Sequence, residues 1–136
     1  MNKLIVPAKI ENLQKVLDFV DEQLKSVEYV MKARLQLELS IEEAYVNIAK
    51  YAYKEEGEVV ICCDLDEDPL RLTVQFIDCG IPYNPLKNKD PDISRDAEKK
   101  EIGGLGILLI KKNVDDLWYE YRDGKNILTI QKILNE

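Results

Sequence analysis

Two pairs of alternating segments constrain this chain most, because each pair is joined by a turn too short for anything but a hairpin. Glu58–Leu65 sets Val59, Ile61, Cys63 and Leu65 on one face, and Leu70–Ile77 does the same with Leu70, Leu72, Val74 and Phe76. Side chains alternate across a strand, so each segment has one face to bury. Only Asp66-Glu67-Asp68-Pro69 separates them. A parallel pair needs a crossover of about a dozen residues or more, so the spacing predicts an antiparallel hairpin. Leu117–Arg122 and Asn126–Leu134 repeat the pattern around Asp123-Gly124-Lys125, and Asp-Gly is a favoured hairpin turn.

The remaining apolar residues follow a helical period. Lys3–Pro7 reads as a short strand, after which Leu13, Val16, Leu17, Val20 and Leu24 mark a helix over Glu11–Ser26. A second helix is predicted from about Lys32 to Tyr53, striped by Leu37, Ile41, Ala44 and Ile48 and followed by Gly57. A third covers Leu105–Lys112. Three helices and one main sheet are best buried as an α+β two-layer sandwich, with a mixed, mostly antiparallel sheet and helices on one face. Tyr83–Glu101 fits neither period and carries Pro85, Pro91 and dense charge. A loop of that length inside a compact domain is commonly a functional lid, here expected to be mobile until a ligand orders it. Arg95, Lys99 or Lys100 would then approach a bound phosphate.

Composition removes several function classes. The 136 residues, 46% of them hydrophobic, suit one domain with a single core. No apolar run approaches the roughly 20 residues that span a bilayer, and Met1–Pro7 is too short for a signal peptide. A cytoplasmic protein without membrane contact is expected. There is no histidine, which rules out histidine-based catalysis and a phosphohistidine and argues against zinc. Three cysteines, Cys62, Cys63 and Cys79, are too few and too irregular for a disulfide framework. A net charge of −7 argues against nucleic-acid binding and favours a basic protein surface as partner.

Three segments carry chemistry. Glu43 and Asn47 are four apart on the second helix and share a face, one position from the apolar stripe. A carboxylate can polarise a hydroxyl, and an amide oxygen can ligate Mg²⁺; a solvated helix face would look the same. Glu42 points about 100° away from Glu43. Asp78 ends a strand, where an acid can accept from an exocyclic amine, and Gly80 lets a planar base approach the backbone. An ordinary Asp-x-Gly turn is the plainer alternative. Gly103, Gly104 and Gly106 open a helix, whose unpaired N–H groups and dipole favour an anion, or they serve as a lid hinge. Cys79 reads as a small neutral filler in the suspected pocket. Trp118, Tyr119 and Tyr121 read as hairpin residues packing and covering the sheet.

In this order and spacing the three segments resemble the ATP-binding domain of the GHKL superfamily, which includes gyrase, Hsp90, histidine kinases and the MutL proteins. Nearly the whole chain is similar to the bacterial anti-sigma-factor serine/threonine kinases. Ser40-Ile-Glu-Glu43-Ala-Tyr-Val-Asn47 matches the N-box, Phe76-Ile-Asp78-Cys-Gly80-Ile-Pro-Tyr-Asn-Pro85 the G1 box, and Gly103-Gly104-Leu105-Gly106-Ile-Leu-Leu-Ile-Lys-Lys112 the G2 box. Val114–Tyr121 and Gly124–Ile130 resemble the branch's terminal hairpin.

The resemblance implies a single ATP-binding domain over residues 1–136. Glu43 is then the general base, and Asn47 holds Mg²⁺ against the triphosphate. Asp78 binds the adenine amine over Gly80. Gly103, Gly104, Leu105 and Gly106 line the phosphates under a lid of about residues 86–102. The implied function is phosphorylation of a small anti-anti-sigma protein from Mg-ATP, together with capture of a sigma factor or other regulator, by a homodimer. At Lys50, Tyr51 and Ala52 the chain departs from the family pattern. The Lys50 ammonium can pair with Glu43 or touch a phosphate. A nucleotide-dependent binding module without kinase activity stays open as the alternative, as does an interaction domain with a vestigial pocket.

Overall fold

A computed structural model describes residues 2–51, 57–82, 84–87 and 102–136. Both hairpins form. Strand β2 (Glu58–Asp66) pairs antiparallel with β3 (Arg71–Asp78), and β4 (Asp116–Arg122) with β5 (Lys125–Ile133). The second hairpin turns on two residues, Asp123 and Gly124, at φ of 54° and 76°. Both therefore occupy the left-handed region that a two-residue hairpin turn demands. Strand β1 (Asn2–Pro7) adds antiparallel to the outside of β2.

The hairpins are joined by β5, which pairs antiparallel with β3, so the strand order is β1-β2-β3-β5-β4. Every pairing among the described residues is antiparallel, so the sheet is not mixed. The register sets Asp78, the last residue of β3, directly opposite Asn126 near the start of β5.

Helices α1 (Leu13–Leu24), α2 (Met31–Tyr51) and α3 (Ile102–Asn113) cover one face of the sheet. Helix α1 buries Val16, Leu17, Val20 and Leu24, and α2 buries Leu37, Ile41, Ala44 and Ile48, the stripes that the period predicts except for Leu13, which is half-buried. Against them lie Val59, Ile61 and Cys63 of β2, Leu72, Val74 and Phe76 of β3, and Leu128 and Ile130 of β5. Tyr45, beside the α2 stripe, is fully buried as well. Its hydroxyl donates to the carbonyls of Lys9 (2.6 Å) and Pro7 (3.1 Å), tying α2 to the chain leaving β1. A buried phenol without such partners would cost stability, so these bonds explain a tyrosine in the core.

Helix α3 begins at Ile102, three residues before the expected start. Glycine disfavours helix, but packing against α2 outweighs local propensity here. Of the predicted lid, the described residues include only 84–87, with a short 3₁₀ turn at Pro85–Lys87. The rest, including Arg95, Lys99 and Lys100, lies outside the described residues. No helix among those described is long and apolar enough to cross a membrane.

Candidate functional site

Helix α2 runs over the sheet where β3 ends and β5 begins, and a pocket of ≈ 30 Å³ lies between them. It is lined by Ala44, Asn47 and Ile48 of α2, Asp78 of β3, Pro85, Tyr119 of β4, and Asn126 and Leu128 of β5. Apolar walls with a few convergent polar groups are the usual make-up of a small-molecule site. A water needs about 10–15 Å³ by this kind of measure, so the space holds only about two.

Asp78 is 4% exposed. Its Oδ1 accepts from the Gly80 N–H at 2.9 Å and from Asn126 Nδ2 at 2.9 Å. Oδ2 accepts no hydrogen bond among the described residues. The Asp-x-Gly turn and the pocket carboxylate are thus one feature: the turn fixes one oxygen and leaves the other. Burial raises the Asp78 pKa above its ordinary value, while the bonds from Asn126 and Gly80 pull the other way. Gly80 serves the turn through its N–H rather than lining the pocket.

Asn47 is 8% exposed, and its Oδ1 is buried without a hydrogen-bond partner among the described residues. An orphaned amide oxygen is costly unless something occupies it. It is a hard oxygen donor of the kind Mg²⁺ prefers, and that ion normally takes only one or two protein ligands beside substrate phosphates and water. No cluster of three or more acidic, cysteine or histidine ligands exists among the described residues. A metal here fits Asn47 only as a shared ligand.

Glu43 sits one turn before Asn47 on α2, half-buried, and does not line the pocket. Its side chain lies across α3 at Gly106. A Cβ on residue 106 would come within 2.6 Å of Glu43 Oε2 and 3.5 Å of its Cδ. Gly106 is therefore a close-approach glycine, which lets the carboxylate rest against the second turn of α3. Gly103, Gly104 and Leu105 fall in the first turn of that helix, where backbone N–H groups lack intrahelical partners. Glu42 has its pKa raised by burial, then by the charges of Glu38 and Glu43.

Several expectations need correcting. Lys50 is exposed and makes no ion pair with Glu43. Cys79 is exposed and is not part of the pocket wall, because its side chain alternates away from that of Asp78. Cys62 and Cys63 are buried, and burial pushes the Cys63 thiol up to about 12, which makes it inert. Tyr119 is more than sheet cover: it lines the pocket, and its hydroxyl donates to Asn126 Oδ1. Asn126 carries no local sequence signal. Only the β3–β5 register reveals it, by placing it opposite Asp78.

A family profile described as the histidine kinase-like ATPase domain matches residues 6–132. The serine-protein kinase RsbW of Bacillus cereus is 35% identical over 103 residues, covering 74% of this chain and 64% of that protein. RsbW of Bacillus mycoides is 35% identical over 105 residues, with the same coverage of 74% and 64%. The chain thus spans just under two thirds of the length of these relatives. Among solved structures, the histidine kinase domain of the Erythrobacter litoralis EL346 blue-light activated histidine kinase matches with a TM-score of 0.54 at 15% identity. The match covers 95% of this chain and 62% of that one, and at such identity it speaks for the fold alone. The fold, the ordered motifs and the profile agree, and the chain belongs to the histidine-kinase-like ATPase domain family.

Proposed function

We propose that the chain is a regulatory serine/threonine protein kinase of the anti-sigma type, with residues 1–136 forming one ATP-binding domain. The observation that carries this reading is the convergence of Asn47 and Asp78 on one pocket, with Glu43 a helical turn away. The relatives named serine-protein kinases support it.

Adenine enters between Ile48 and Leu128, and its exocyclic amine donates to Asp78 Oδ2. A purine is larger than the ≈ 30 Å³ pocket, so the lining parts on binding. Asn47 Oδ1 would hold Mg²⁺, which would neutralise charge on the triphosphate. The N–H groups of the first turn of α3, at Gly103, Gly104 and Leu105, take phosphate oxygens, and Gly106 lies beside them in the second turn. Glu43 accepts the hydroxyl proton of a protein serine or threonine as its oxygen attacks the γ-phosphorus. The bond to the bridging oxygen breaks and ADP leaves. Phosphoryl transfer needs mainly positioning and charge neutralisation, which one base, one metal and an N–H cradle supply.

The protein substrate is a small anti-anti-sigma partner. A sigma factor or other regulator is the second partner, held when the first is phosphorylated and released. The kinase acts as a cytoplasmic homodimer. Incubation with γ-labelled Mg-ATP and candidate partners should label a serine or threonine of one of them. Absence of transfer to any partner that binds the protein would contradict the kinase reading.

One observation favours a second reading, nucleotide-dependent partner binding without transfer. Glu43 rests against Gly106 and not in the pocket wall. If that placement persists with nucleotide bound, the chain binds ATP and partners without transferring phosphate between them.

A further inference from the structure

We propose that Asn126, held by Tyr119, is the positioning residue that presents Asp78 to the nucleobase, and that this pair sets discrimination among purines. The inference rests on the adenine-binding reading of Asp78 and extends it to two residues outside the motifs.

Asn126 is 5% exposed and stands opposite Asp78 across the β3–β5 ladder. Its Nδ2 faces three acceptors: Asp78 Oδ1 at 2.9 Å, the Ile81 carbonyl at 3.0 Å and the Gly80 carbonyl at 3.4 Å. Its Oδ1 accepts from the Tyr119 hydroxyl. Three acceptors at one end of the amide and a donor at the other leave a single sensible orientation. One side chain therefore ties the carboxylate to the backbone leaving β3, and a second side chain from β4 locks the first. Asp78, Asn126 and Tyr119 all line the same pocket.

An unrestrained carboxylate can turn either oxygen, or neither, toward a ligand. Here Oδ1 is engaged by Asn126 and Gly80, so Oδ2 is the acceptor left for a base. Hydrogen bonds to the carboxylate also favour its ionised, acceptor-only form. A site of this kind selects a base with a donor at that point and rejects one with a carbonyl, because two acceptors would then face each other. Packing alone does not require the arrangement, since an apolar residue at 126 would fill the same space without a buried amide to satisfy.

Calorimetry on the intact protein tests this with ATP and inosine triphosphate, whose carbonyl replaces the exocyclic amine. Wild type should prefer ATP. Tyr119→Phe keeps the ring and removes the lock, and Asn126→Ala removes the clamp. Each should weaken ATP binding by about 2- to 12-fold, the worth of one net hydrogen bond, and leave inosine triphosphate unchanged, so the preference shrinks. A merely structural role would lower both affinities together. Tyr119→Phe is conservative enough to carry the test if Asn126→Ala unfolds. Unchanged ATP preference in Tyr119→Phe, or equal loss for both nucleotides, overturns the proposal and leaves the ATP-site reading intact. If wild type shows no preference, the reading of Asp78 fails and the inference goes with it.

Discussion

Asp78→Asn should separate stability from binding. In the native protein Asp78 Oδ1 accepts from Asn126 and Gly80, both at 2.9 Å, and an asparagine oxygen can keep both bonds. Its NH₂ group then takes the place of Oδ2 and faces the adenine amine donor to donor. Leaving such a group unsatisfied in a closed site costs about 1–3 kcal/mol, so ATP affinity should fall about 5- to 150-fold.

Stability should move the other way. The folded-state pKa of Asp78 is raised above the ordinary 3.8, burial being the largest cause. The native state therefore holds this proton more tightly than the unfolded chain does. The contribution is fully present below pH 3.8 and is lost as pH rises through the folded value. At pH 7 the buried, ionised carboxylate is a net cost, and Asn removes it. Thermal unfolding at pH 7 should show Asp78→Asn at least as stable as wild type, with a flatter stability curve across the acid range just above pH 3.8. Calorimetry on the same samples should show the lost affinity. A variant that binds ATP as wild type does, or that loses binding only because it unfolds, contradicts this role for Asp78.

Other perturbations follow from the same geometry. Gly106→Ala places a Cβ within 2.6 Å of Glu43 Oε2, and the flexible carboxylate must yield. Unfolding should shift by less than about 1 kcal/mol, while phosphotransfer to a partner should fall about 10²-fold as the proposed base is displaced. Asn47→Ala removes the orphaned oxygen, so ATP affinity measured with and without Mg²⁺ should become the same. Tyr45→Phe removes the donor to Lys9 and Pro7 and should cost about 1 kcal/mol, or about 4 °C in Tm by calorimetric scanning, with ATP affinity unaltered.

What the sequence disclosed follows from the range of each interaction. The stripes of α1 and α2 and the alternation of β2 and β3 are local periodicities, and the buried residues match them apart from half-buried Leu13 and Leu65 and buried Cys62. Glu43 and Asn47 share a face by helical spacing alone, and Asp78 ends its strand as expected. The site also depends on contacts that no local pattern encodes. Strand β5 inserts between β3 and β4, and this brings Asn126 to Asp78 across 48 positions. Tyr119 reads as sheet cover in the sequence because its partner is fixed by that register. The contact of Gly106 with Glu43 depends on how α3 crosses α2. Tyr45 lies off the stripe because β1 and the turn after it supply acceptors from the side.

In the proposed mechanism Glu43 takes a proton from a protein hydroxyl during transfer from ATP bound at Asp78 and Asn47. Single-turnover transfer of γ-labelled phosphate to the true partner, compared between wild type and Glu43→Gln, tests it most directly. Glutamine keeps the size and polarity of the side chain but cannot accept the proton. Wild type should label a serine or threonine of the partner. The variant should keep its ATP affinity and transfer about 10²- to 10⁴-fold more slowly. Transfer by Glu43→Gln at the wild-type rate would contradict the claim.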